Sequence, residues 1–202
     1  MNTSYLSSIP LSQSDKLLYS WGFDLTQEYF SIAKSIPDNH PFAVELATGT
    51  GRMSAVLSGL FPSVITGDIS LVDLPRAQQR IPPALSDRVQ YLQLDMESLP
   101  FRSQSIPVLF CMNTIHEMEH PAACIREMIR IIHPNGYLVV GDFNRLGFDT
   151  MQRIHETVYH NNHNEGTMPA EDIGVILQSF FHDLQKIDTQ LNRTFIARKK
   201  QP

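Results

Sequence analysis

From residue 42 onward the chain alternates short apolar runs with helical patterns, and no other feature constrains its fold so strongly. Phe42–Leu46, Ser63–Asp68, Arg88–Leu94, Ile106–Met112 and Tyr137–Asp142 read as strands. Between them, one helical stretch reaches Phe61 and is ended by Pro62, and a second runs from Leu71 to Arg80, kinked or shortened by Pro75. A third runs from Pro121 to His133, with Ile125, Met128, Ile129 and Ile132 on one buried stripe before Pro134-Asn135-Gly136 stops it. Nearly continuous apolar strands separated by helices belong to a parallel sheet covered on both faces.

The two ends depart from this rhythm. A helix is expected from Leu17 to Ile36, with Asp24 capping its second half and Gln27 in the reciprocal capping position. Pro37-Asp38-Asn39-His40-Pro41 then breaks the chain. After residue 143, helices are expected at Phe148–Tyr159 and Ala170–Phe180, followed by strands at Leu184–Thr189 and Arg193–Arg198. About three residues separate those two strands, too few for a helical crossover, so they should pair as an antiparallel hairpin.

Composition narrows the function classes. A chain of 202 residues suits one domain, and buries enough of its surface to need neither disulfides nor a structural metal. Cys111 and Cys124 lie in apolar stretches and form no CxxC pair, so they read as small core residues. With 21 acidic against 16 basic residues, the charge offers no footprint for nucleic acid. No apolar run approaches the roughly 20 residues of a membrane span, and the N-terminus lacks a signal-peptide pattern. The expectation is a soluble cytoplasmic protein without a membrane or nucleic-acid partner; its oligomeric state is not written in the sequence.

In an open α/β sheet a ligand lies beyond the carboxyl ends of the strands, where strand order reverses. The loop after the first strand, Glu45-Leu46-Ala47-Thr48-Gly49-Thr50-Gly51-Arg52, would let backbone approach a ligand and feeds a helix N-terminus. The second strand ends at Asp68, 17 residues after Gly51, where a carboxylate can accept both hydroxyls of a ribose. The third ends at Asp95-Met96, an acceptor for an exocyclic amine beside a flexible side chain that can cover a purine. Each signal is weak alone, since a βα turn, a helix cap and a strand-ending Asp explain them singly. On three successive strand ends they describe a nucleoside-bearing ligand across the sheet edge.

With these motifs in order, the chain resembles the class I S-adenosylmethionine-dependent methyltransferases, in the subgroup of ubiquinone and menaquinone C-methylases. The resemblance covers about residues 42–143. It rests on Glu45–Gly51, Gly67-Asp68-Ile69-Ser70, Leu94–Phe101 and Ile125–Leu138. It implies an α/β, Rossmann-like, mostly parallel seven-stranded sheet with helices on both faces and a C-terminal antiparallel hairpin. It also implies a single domain over 1–202: a helical cap at 1–40, a cofactor-binding core at 42–143, substrate-covering helices at 144–182 and the hairpin at 183–199. S-adenosylmethionine would be the cofactor and a small molecule the methyl acceptor.

The resemblance further implies roles. Glu45 would hold the methionine ammonium, directly or through water, and Ala47, Gly49 and Gly51 would offer backbone. Asp68 would take the ribose hydroxyls, Ile69 would pack on adenine, Asp95 would accept its amine and Met96 would lie beside it. Asn113 would line the methionine end. Ala47 replaces the family's first glycine, a methyl that is tolerable while φ stays negative.

The substrate side is less defined. His116, just past the fourth strand, is the candidate base for an acceptor that enters protonated. Glu117 and His120 share its loop and suit a capping role. His155 stands in the stripe Met151-Ile154-His155-Val158 and, with Trp21 and Tyr159, is a candidate for the pocket. His160 and His163 sit at ligating distance in sequence, but no third ligand follows at a recognised spacing, so no metal is expected. Two rival readings remain. A nicotinamide-dependent oxidoreductase would lack its third glycine at Ser54, and would leave Asp95 and the Pro134–Gly136 turn without a role. A protein that binds the cofactor without transferring methyl, as a regulator or assembly partner, is left open by the ill-defined substrate side.

Overall fold

The computed structural model describes residues 3–37 and 39–201; Met1, Asn2, Asp38 and Pro202 lie outside it, so the break expected at Pro37–Pro41 is described only on either side of Asp38. Strands β1 (Ala43–Leu46), β2 (Val64–Asp68), β3 (Val89–Gln93), β4 (Ile106–Met112), β5 (Ile132–Phe143), β6 (Phe181–Asp188) and β7 (Asn192–Lys200) form one sheet. Their order is β3-β2-β1-β4-β5-β7-β6. The first five are parallel, while β7 runs antiparallel to both β5 and β6. The chain works outward from β1 to β3, then returns to β4 on the other side of β1, so strand order reverses between β1 and β4. That junction is where an open α/β sheet places its ligand.

Among the described residues seven α-helices accompany the sheet: α1 (Gln13–Ser20), α2 (Leu25–Ala33), α3 (Arg52–Leu60), α4 (Leu74–Arg80), α5 (Pro121–Ile131), α6 (Arg145–Ile154) and α7 (Ala170–Gln178). Successive strand residues point to opposite faces. Val108, Phe110 and Val139 pack with Phe30 of α2, Leu57 of α3 and Ile154 of α6. Their neighbours Leu109, Cys111 and Leu138 pack on the other face with Met128 of α5 and Leu177 of α7. Both cysteines are buried and free.

Local chemistry explains where the elements depart from the sequence expectation. The helix expected at Leu17–Ile36 is two helices. Gly22 adopts φ +89° between them, and Asp24 starts α2 by accepting the Gln27 backbone N–H at 2.8 Å. Pro75 lies in the first turn of α4, which begins at Leu74, so that helix is shortened and not kinked. Strand β5 begins at Ile132, earlier than Tyr137, because Ile106 pairs with Ile132 before the register jumps to Val108 and Tyr137. Residues 133–136 bulge out there, and a Cβ on Gly136 would stand 2.7 Å from the Pro107 carbonyl oxygen. Beyond Ile154 the expected helix widens into a π turn, His155–Tyr159, closed by His160 at φ +56°.

Candidate functional site

The loop between β1 and α3 holds its shape by three left-handed residues: Ala47 at φ +60°, Gly49 at +47° and Gly51 at +79°. Gly51 has no room for a side chain, since a Cβ would lie 2.7 Å from the Ala77 Cα of α4. Gly49 faces open space, with nothing within 4 Å of where a Cβ would stand. Ala47 corrects the condition set on it, because its φ is positive. An L-residue in that region costs about 1–2 kcal/mol.

Behind this loop, Glu45 is 2% exposed and turned between β1, β2 and α3. Its carboxylate accepts from Thr66 Oγ1 at 2.7 Å and from Ser54 Oγ. Burial pushes the Glu45 carboxyl up to about 7, although both hydroxyls pull it back. Asp68 lies at the surface and spans two turns. One oxygen accepts the Gly49 N–H at 2.9 Å and the other the Ser70 N–H at 3.0 Å. Ile69 follows it, 63% exposed. Asp95 accepts the Glu97 N–H at 2.8 Å, while Met96 is buried with its sulfur 3.9 Å from Cys111 Sγ. A narrow cleft runs between Gly49, Asp68, Leu71 and Tyr91.

The β4 and β5 ends are built differently. Asn113 takes φ +55° and donates through Nδ2 to the buried Tyr29 hydroxyl at 2.8 Å, while its Oδ1 is buried without a partner. Two residues on, a short 3₁₀ turn at Ile115–Glu117 turns His116 inward, 2% exposed. Asp142, at the end of β5 and 1% exposed, receives the His116 backbone N–H at 2.9 Å and pairs with Nδ1 of the ring at 2.7 Å. A carboxylate only accepts, so Nδ1 carries a proton, and in the neutral ring the lone pair is then on Nε2. That Nε2 is buried without a hydrogen-bond partner, 3.7 Å from Glu117 Oε1. Phe148 and His163 each lie 5.1 Å from the His116 ring. Burial, with His116 and His155 adding to it, lowers His163 to about 4. With Nδ1 buried and its ring against His116 and Phe148, His163 faces inward, whereas His160 merely ends the π turn. His120 begins α5 without a side-chain capping bond and pairs with Glu97 at 3.1 Å.

A cavity of about 580 Å³ opens between α1, α4 and the π turn, lined by Leu18, Arg52, Arg80, His155 and Tyr159 among others. His155 and Tyr159 thus reach the cavity. Trp21 instead packs on the apolar core, with the Arg153 guanidinium 4.1 Å above its ring. Asp15 of α1 takes Arg52 at 2.7 Å on one oxygen and Arg80 at 2.7 Å on the other. Burial works to raise the Asp15 carboxyl, but the two guanidiniums outweigh it and hold it low. Burial and the neighbouring Arg52 draw Arg80 down to about 10, and its Nη1 has no partner. Two guanidiniums on one carboxylate leave net positive charge beside the cavity.

The sequence reading missed Asp142, Tyr29 and the Asp15–Arg52–Arg80 cluster as site residues. Asp142 carried a usable signal, because Gly141-Asp142 ends β5 as Gly67-Asp68 ends β2. The arginine cluster had none, since Arg80 and Asp15 are 65 residues apart.

Residues 44–140 match the family model described as a methyltransferase domain. The ubiquinone/menaquinone biosynthesis C-methyltransferase of Ectopseudomonas mendocina is 25% identical over 122 residues, covering 56% of this chain and 46% of that protein. The demethylmenaquinone methyltransferase of Clavibacter sepedonicus is 29% identical over 101 residues, 50% of this chain and 40% of that one. The chain thus spans less than half the length of these relatives. Among solved structures, a putative S-adenosyl-L-methionine-dependent methyltransferase of Methanococcus maripaludis superposes with a TM-score of 0.63 at 17% identity, covering 96% of this chain and 97% of that one. The [4+2]-cyclase SpnF superposes at 0.66 and 16% identity, covering 86% and 81%. At such identities the superpositions establish a shared fold.

Proposed function

We propose that the protein, whose residues 44–140 match a methyltransferase-domain model, is a class I S-adenosylmethionine-dependent methyltransferase that transfers a methyl group to a small acceptor held in the 580 Å³ cavity. The carrying observation is the carboxyl edge at the β1–β4 junction. There Gly49 faces open space and the Asn113 Oδ1 is buried without a partner, so the residues present suit a ligand with a donor group at that end. Asp68, Ile69, Asp95 and Met96 would hold the adenosyl half, with backbone from Ala47, Gly49 and Gly51, and Asn113 the amino-acid half. Glu45 supports the loop from behind through Ser54 and Thr66. When bound, the cofactor supplies an electrophilic methyl group on a sulfonium.

The chain's own residues align and hold the acceptor, which contributes about 7–11 kcal/mol where two reactants are well oriented. The Arg52 and Arg80 guanidiniums favour an acceptor bearing a carboxylate or phosphate. His116, oriented by Asp142, is the candidate base for an acceptor that enters protonated, and it adjoins the cavity through His163 and His155. His155 and Tyr159 line the acceptor's cavity.

Thermal unfolding with S-adenosylhomocysteine, S-adenosylmethionine, NAD and NADP tests the reading. Stabilisation of about 2.7 kcal/mol at 100 times the dissociation constant, by the adenosyl compounds alone, is the expected result. Asp68→Ala should weaken their binding by about 1–3 kcal/mol. Unchanged affinity would remove Asp68 from the site, and stabilisation by a nicotinamide cofactor would overturn the family reading.

A further inference from the structure

Three segments distant in sequence bring lone pairs to one point at the β4 and β5 ends. One ligating atom each from His116, Glu117 and His163 lies within 4.8 Å of the others. His116 Nε2 and His163 Nδ1 are both buried without hydrogen-bond partners. A buried polar atom left unsatisfied is costly, so two at one point call for a ligand that takes lone pairs from both. A water has only two protons to donate, whereas a cation takes lone pairs from both nitrogens and from the Glu117 carboxylate together.

We propose that His116, Glu117 and His163 form a binding site for a divalent transition-metal ion, zinc(II) first. Two imidazole nitrogens and one carboxylate oxygen are a recurrent donor set for that ion, with a position left open for a further ligand. Neighbouring donors around tetrahedral zinc stand roughly 3.4 Å apart, given a Zn–N distance near 2.1 Å. The 3.7 Å between His116 Nε2 and Glu117 Oε1 is close to that spacing, and the Glu117 side chain is 55% exposed and free to adjust.

The surroundings are built for it. A metal-bound histidine characteristically gives its other ring N–H to a carboxylate, which fixes the tautomer and strengthens the donor. Asp142 does this to His116 at 2.7 Å from a position 1% exposed. Phe143 and Phe148 stand 5.8 and 5.1 Å from the His116 ring and keep water from that side. The loop that brings His163 in is clamped at Gly166, φ +66°, where any Cβ would fall 1.8 Å from the His116 carbonyl oxygen. His155, whose ring is 4.7 Å from His163, connects the cluster to the cavity.

The open position suits an oxygen of the acceptor, whose proton the cation would make easier to lose. That role rests on the methyl-transfer reading; binding of the ion does not. While a cation occupies Nε2, His116 serves as a ligand and not as a proton acceptor.

The test is titration of the metal-free full-length chain with Co²⁺, read by its visible absorption, and with Zn²⁺ in competition with a chromophoric chelator. One equivalent per chain is expected, with at least a tenfold loss of affinity in Glu117→Gln and in His163→Ala, and a 10–100-fold loss in Asp142→Asn. Glu117→Gln alters a side chain that is mostly in solvent, so it remains informative if His163→Ala does not fold. Absence of stoichiometric binding, or equal binding by Glu117→Gln, overturns the proposal. S-adenosylhomocysteine affinity of the unsubstituted chain, measured with and without chelator, is the separate readout: its absence would sink the methyl-transfer reading while leaving the metal result standing.

Discussion

The two halves of the carboxyl edge are made of different material. At the ends of β1, β2 and β3 the candidate site is mostly backbone and solvent-facing carboxylate: Gly49, Asp68 and Asp95, each bonded within its own turn or to the next one. At the ends of β4 and β5 it is buried side chain: Asn113 on Tyr29, and His116 on Asp142. The first half holds its shape by exposed hydrogen bonds within and between neighbouring loops, which tolerate water. In the second, the bonds Asn113–Tyr29 and His116–Asp142 join buried or partly buried groups from distant segments, so loss of one partner leaves the other unsatisfied. Substitutions in the β4–β5 half should therefore cost more stability than those in the loops of the β1–β3 half.

Asp142→Ala is the most severe way to break that contrast. It removes the acceptor of three donors: the His116 ring and backbone, and the Phe143 N–H. A loss of about 3–5 kcal/mol is expected in denaturant unfolding, from three buried donors left without an acceptor at about 1–3 kcal/mol each. A loss below about 1 kcal/mol would mean that this half is no more interdependent than the other.

Glu45→Gln sharpens the comparison, because Glu45 is the buried carboxyl behind the solvent-facing loop. Its ordinary value is 4.5 and burial lifts it to about 7 in the folded chain. Between those values the folded chain keeps a proton that the unfolded chain has released, so stability falls as pH rises through that window. The penalty is absent below about pH 4.5 and complete above about pH 7, on the order of 3 kcal/mol for this shift. Unfolding measured from pH 4.5 to 7.5 should show the wild-type chain losing ground to Glu45→Gln by that order. Parallel pH profiles would mean that the carboxyl is ionised throughout.

Ala47→Gly gives the smallest effect and has the opposite sign. Glycine tolerates φ +60°, so the variant should gain about 1 kcal/mol, or roughly 2–4 °C at this size. A destabilised variant would show that the methyl's packing outweighs its backbone strain.

How legible each half was in the sequence follows the same division. Asp95 acts within two residues of itself and Asp68 on the next residues and the adjoining strand-end loop, so their position at strand ends was enough to mark them. Strand β4 lies at Ile106–Met112, as its unbroken apolar run indicates, and the hairpin of β6 and β7 follows from the short interval between them. In sequence His163 has only His160 at a ligating interval, whereas its neighbours in space, His116 and Phe148, come from other elements. The interrupted helix at Gly22 and the early start of β5 were hidden for a related reason. A positive φ and a bulged register depend on what the chain meets on either side.

The sequence by itself determined the parallel sheet, the antiparallel end, and the loops where glycine and aspartate meet the carboxyl edge. Those features depend on the period of apolar residues and on turn chemistry, both of which act over a few residues. Only the tertiary structure decided that Asp142 orients His116, that Asp15 joins Arg52 to Arg80, and that His163 turns inward against His116. Those pairings form because burial removes water from polar groups, and such groups are satisfied by whatever partners the fold brings within about 3 Å.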